Sequence, residues 1–70
     1  MPIVLAPLNV PLKVVKIAAD DTLKKHLESL GITVDGELTV LSSSGGSTVC
    51  KIKDGRIALD SELSTKIFVA

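Results

Sequence analysis

Two hydrophobic periods run along this chain, and the change from one to the other falls at Gly31. Before it, Leu23, Leu27 and Leu30 recur at i, i+4 and i+7, the spacing of one helical face. Asp20-Asp21-Thr22 lead in, and their side-chain oxygens can accept the free amides at a helix start. Gly31 stands where helices commonly end in a left-handed residue. The pattern predicts one short helix over about 22–30. After Gly31 the period is two: Glu37-Leu38-Thr39-Val40-Leu41 and Thr48-Val49-Cys50-Lys51-Ile52-Lys53 alternate as strands do. Ahead of the helix, residues 12–18 are rich in β-branched side chains and predict a strand. Val14 and Val15 break its alternation, which points to a bulge.

The connections follow from the small and polar residues. Ser42 to Ser47 holds two glycines and no apolar side chain, and reads as a flexible hairpin connection. Asp54-Gly55 has the composition of a two-residue type I′ turn, leading into a short strand over 56–59. Asp60 can cap a helical turn near 60–64, and residues 66–69 close the chain as a last strand. Residues 1–11 read as an extended apolar lead-in packed on the domain. Pro2, Pro7 and Pro11 interrupt it, it has no basic head, and it is too short to span a membrane. Five short strands and one short helix, with no repeat or linker, describe a mainly β chain. It forms one domain over 1–70, a small, strongly bent barrel.

Composition narrows the function. Eight Lys and Arg balance eight Asp and Glu, and Phe68 is the only aromatic residue. A nucleic-acid surface calls for a basic face or stacking aromatics, and a membrane-surface helix for a basic amphipathic stretch; neither is present. Cys50 is the sole cysteine, so no internal disulfide or CxxC metal knuckle can form, in keeping with a cytoplasmic protein.

Few residues could carry chemistry. His26, at the edge of the helical stripe, is a weak metal-ligand candidate. Its place among Lys24 and Lys25 in the helix's C-terminal half suits a solvated or capping role better. Cys50 shares a strand face with Thr48 and Ile52, which makes it a small core residue before it is a metal ligand or nucleophile. No spacing joins His26 and Cys50 to a carboxylate as a transition-metal site would require. Asp20 and Asp21 are accounted for as caps, and 42–47 lacks the pattern of a phosphate loop. No constellation argues for an enzyme. Phe68 is the candidate interface anchor: alternation turns either Phe68 or its neighbours Ile67 and Val69 outward. If Phe68 is the outward one, it either meets a partner or is covered by the N-terminal segment.

Three segments, in order, resemble the FeoA family: His26-Leu27-Glu28-Ser29-Leu30-Gly31-Ile32, Gly55-Arg56-Ile57-Ala58-Leu59 and Ile67-Phe68-Val69. They are similar to that family's Arg-Leu-x-x-Leu-Gly-Leu, Gly-x-x-x-Ala-Leu-Arg and Ile-x-Val. Several family signatures are replaced. Leu12 stands for a turn glycine, His26 for an Arg, Asp60 for an Arg, Ser42 to Ser47 for a longer loop, and Val34-Asp35 for Pro-Gly with Gly36 beside it. The resemblance implies an SH3-like barrel. It also implies a non-enzymatic cytosolic accessory of ferrous iron uptake, docking on a FeoB-like membrane transporter with a G-protein domain. An alternative is a stand-alone regulatory domain of the DtxR type, binding a transition metal or a peptide. Fe²⁺ or another transition metal is possible by this association, although the ligand spacing does not support a site and no cofactor is required.

Overall fold

The computed structural model describes every residue from Met1 to Ala70. Five antiparallel strands form one sheet: β1 (Pro11–Ile17), β2 (Glu37–Ser44), β3 (Ser47–Ile52), β4 (Gly55–Leu59) and β5 (Ile67–Val69). Their spatial order is β4-β3-β2-β1-β5. Helix α1 (Asp21–Ser29) joins β1 to β2, and the helical turn α2 (Ser61–Ser64) joins β4 to β5.

The helix ends are built as the residue types foretell. The carboxylates of Asp20 and Asp60 each accept a backbone amide three residues on, from Leu23 and Leu63, both at 2.8 Å. At the far end of α1, Gly31 adopts φ 101°. Its amide donates to the Glu28 carbonyl at 3.0 Å, while the Ile32 amide donates to the Leu27 carbonyl at 2.9 Å. This pair of bonds is a Schellman cap, and it delivers Ile32 into the core beside Leu27. A Cβ on Gly31 would also stand 2.7 Å from Ile52 Cδ1. The helical stripe is buried unevenly: Leu27 is sealed, Leu23 half-buried, and Leu30 39% exposed.

Two register shifts bend the sheet. One lies between Val14 and Lys16, where β1 meets β5, so Val15 is the predicted bulge. The other, between Val40 and Ser42, was not legible in the pattern. Two turns differ from expectation. Ser42 to Ser44 and Ser47 are not a flexible connection but paired strand, with Ser44 opposite Ser47. The reversal is confined to Gly45 and Gly46, both with positive φ (58° and 83°), which only glycine adopts freely in succession. Serine hydroxyls made this stretch look like a loop, yet exposed strand positions tolerate them. Conversely, the β3–β4 reversal falls on Lys53 and Asp54, with Ile52 opposite Gly55. Neither turn residue has positive φ, so the turn is not type I′; the glycine conformation is at Gly55, φ 145°.

Alternate side chains of the sheet enclose the core, in which Val14, Leu38, Val40, Leu59, Ile67 and Val69 are nearly inaccessible. The N-terminal segment is not extended throughout. Ile3–Leu5 form a 3₁₀ turn that inserts Ile3 into this core and packs against β3 and β5. Pro2 pairs with Phe68, the Met1 ammonium donates to the Val69 carbonyl at 2.9 Å, and the Val69 amide donates to the Met1 carbonyl at 2.8 Å. The N-terminal residues therefore cover the open side of β5. No ladder joins β4 to β5, so one edge of the barrel stays unpaired.

Candidate functional site

His26 lies in the last turn of α1 with its side chain exposed, and its carbonyl accepts the Ser29 hydroxyl at 2.6 Å. Cys50 points the other way, fully enclosed within β3. One is in solvent and the other in the core, and no three His, Cys, Asp or Glu side chains gather as a set that could hold a metal ion. The residues present do not fit a transition-metal centre.

Burial pushes the Cys50 thiol up from its ordinary range, and a hydrogen bond with Thr48 draws it partly back. Thr48 belongs to a buried polar relay that pattern reading missed. Its Oγ1 lies 2.9 Å from Ser64 Oγ, which donates to the Leu59 carbonyl at 3.3 Å. Ser64 is wholly buried and pins α2 onto the sheet. A serine at the end of a four-residue helical turn gives no sequence sign of this role.

Phe68 faces outward, because Ile67 and Val69 are the buried pair. It is half-buried rather than bare. Pro2 pairs with it on one side, opposite Lys16 on the other, whose Nζ lies 6.0 Å from the ring centroid. The aromatic is thus at the surface, and the N-terminal segment partly covers it.

Asp35 explains one family difference. It adopts φ 70°, a conformation glycine takes without strain and Asp tolerates. In the resemblance drawn above it stands for the glycine of Pro-Gly, and Asp35 makes the left-handed turn itself, since Gly36 has no positive φ. Its amide donates to the Val14 carbonyl at 2.8 Å, and its carboxylate sits 3.5 Å from Lys13 Nζ.

A groove of about 1030 Å³ runs between the end of α1 and the β3–β4 hairpin. The α1 end and β2 contribute Glu28, Gly31 and Glu37, and the hairpin contributes Lys51, Lys53, Asp54 and Arg56. Its three acidic and three basic groups balance overall, and all three basic ones lie on the β3–β4 hairpin. Exposed aliphatic side chains, Leu5, Leu8 and Val10 among them, lie in the N-terminal segment. No helix is long and apolar enough to cross a membrane.

The model of the FeoA domain family matches residues 1–70, the whole chain. The chain belongs to the FeoA family. Among solved structures, a crystal structure of an iron uptake regulatory protein (FeoA) superposes with a TM-score of 0.87 at 21% identity, covering 99% of this chain and 93% of that one. The solution structure of iron(II) transport protein A from Clostridium thermocellum gives 0.84 at 21% identity, covering 99% of this chain and 44% of that one. A manganese-dependent transcriptional repressor in complex with manganese gives 0.84 at 24%, covering 100% and 35%. No curated protein matches by sequence. The fold is thus the SH3-like barrel shared by FeoA and DtxR-like domains.

Proposed function

We propose that this FeoA domain acts in the cytoplasm, without catalysis of its own, by docking on the cytosolic part of a FeoB-like ferrous iron transporter and modulating it. The observation that carries the reading is the family match along the entire chain. The surface supports it in kind: an outward Phe68 beside Pro2, and aliphatic side chains at Leu5, Leu8 and Val10, are groups that gain by being covered. Phe68 is the anchor. No metal is assigned to this domain, and the likeness to a manganese-dependent repressor is one of fold. The family match favours the transporter reading over the repressor one.

A domain of this size can commit about 800 Å² to one partner. A transient complex in the micromolar range, about −8 kcal/mol, is expected. The test is calorimetric or NMR titration against the cytosolic region of a FeoB-like transporter, with and without guanine nucleotide, and against the complete transporter in detergent. Saturable binding weakened by Phe68→Ala is the expected result. Absence of binding in both preparations, with transport unchanged, overturns the proposal.

A further inference from the structure

The two ends of the sheet are treated differently. Beyond β5, Met1 and Pro2 occupy the ladder positions. Beyond β4 nothing does: it ends the strand order, and none of the backbone bonds outside regular elements reaches a residue of β4. The β3–β4 hairpin has Ile52 opposite Gly55 across a two-residue turn, so Gly55, Ile57 and Leu59 spend their amides and carbonyls on β3. Arg56 and Ala58 direct theirs outward. β4 carries no proline, no bulge and no inward charge, three devices that block edge strands, and Arg56 is its one charged residue.

The side chains beside this edge have a sign. Lys51 and Arg56 are directly opposed across the β3–β4 ladder, both exposed, and neither has a carboxylate within ion-pair distance. Like charges facing one another across a ladder are unfavourable, and an anion arriving beside them removes the cost. The same arrangement argues against a second copy of this chain, since pairing two β4 edges would bring Arg56 toward its own equivalent. The carboxylates around them are Asp54 in the turn and Glu28 and Glu37 across the groove, none within ion-pair distance of Lys51 or Arg56, and Asp60, which is engaged with the Leu63 amide.

We infer that β4 accepts an extended segment of a partner protein as a sixth strand, one carrying carboxylate side chains on the face that meets Lys51 and Arg56. The backbone groups of Arg56 and Ala58 supply the affinity, and the opposed cations select acidic over basic sequences. This edge lies at the opposite end of the strand order from Phe68 in β5.

The test uses the isotope-labelled domain and two acetylated, amidated synthetic peptides, one alternating Thr with Glu and one alternating Thr with Lys. The Glu peptide should shift the amides of Arg56 and Ala58 and slow their hydrogen exchange. It should bind about tenfold more tightly than the Lys peptide, with the preference shrinking as salt is added. Arg56→Glu, an exposed substitution that leaves Lys51 opposite a carboxylate, should remove the preference. Ala58→Pro, checked for a native amide spectrum, should abolish the binding by removing one outward donor. Three results overturn the inference: no change at β4 at millimolar peptide, changes confined to residues 1–5 and β5, or equal binding of both peptides. A concentration-dependent dimer with β4 amides already protected overturns it too, by assigning the edge to a second copy.

Discussion

Helix α1 is held to the barrel chiefly through one side chain, and removing it should show. Leu27 is 0% exposed and belongs to the core, whereas Leu30, equally placed in the helical stripe, is 39% exposed. Truncating Leu27 to Ala deletes three carbon groups from a dry environment, about 2.4 kcal/mol of transfer free energy at ~0.8 per methylene. A cavity term adds to this, and Leu→Ala changes in cores span about 2–5 kcal/mol. Leu23 beside it is only half-buried, so the helix can settle inward and part of the cavity closes. That places the expected cost near 3 kcal/mol. At about 0.05–0.15 kcal/mol per residue, a chain of this size has roughly 3.5–10 kcal/mol in all, so the loss is a large share. A fall in Tm of roughly 12–24 °C follows from about 4–8 °C per kcal/mol in so small a domain. Leu30→Ala should cost no more than about 0.5 kcal/mol, as at other surface positions. Thermal and urea unfolding by circular dichroism measures both. Equal losses in the two variants would refute the reasoning, because they would mean that stripe position rather than burial sets the energy.

Other outcomes follow from the same geometry. Gly31→Ala meets both a positive φ and Ile52 Cδ1 at 2.7 Å, and should destabilise by about 1–3 kcal/mol, read from the urea midpoint. Ser64→Ala strips the partner from buried Thr48 and should cost about 1–3 kcal/mol, whereas the double variant Thr48→Val/Ser64→Ala should recover part of it. The Cys50 thiol is raised by burial, so the folded state keeps its proton at a pH where the unfolded chain has lost it. The unfolded state then binds fewer protons, and stability is full below about pH 8.5 and falls as the pH rises past it. The wild-type unfolding midpoint should therefore drop between neutral and alkaline pH by more than that of Cys50→Ala; parallel pH profiles would contradict the assignment.

Local chemistry determined much of this protein. Asp20, Asp60 and Gly31 act within a few residues of themselves, through caps whose partners are adjacent in the chain, so residue type and spacing sufficed to place α1 and α2. Alternation placed Cys50 inside and the Val14–Val15 bulge in β1, because a strand's faces are set by its own period. What failed were choices made between distant segments. Ser42 to Ser44 became strand because Thr48 and Val49 lie opposite, not because serine favours it. Leu30 was left outside, and Ile32 taken inside, by the direction the Gly31 cap imposes on the chain. Ile3 completes a core whose other members lie on strands far along the chain, Ser64 finds Thr48 sixteen positions away, and Phe68 is half-covered by Pro2. Each of these depends on which surfaces close over one another. That is decided when the bent sheet curls and its two ends are finished differently, one by the N-terminal residues and one left open at β4.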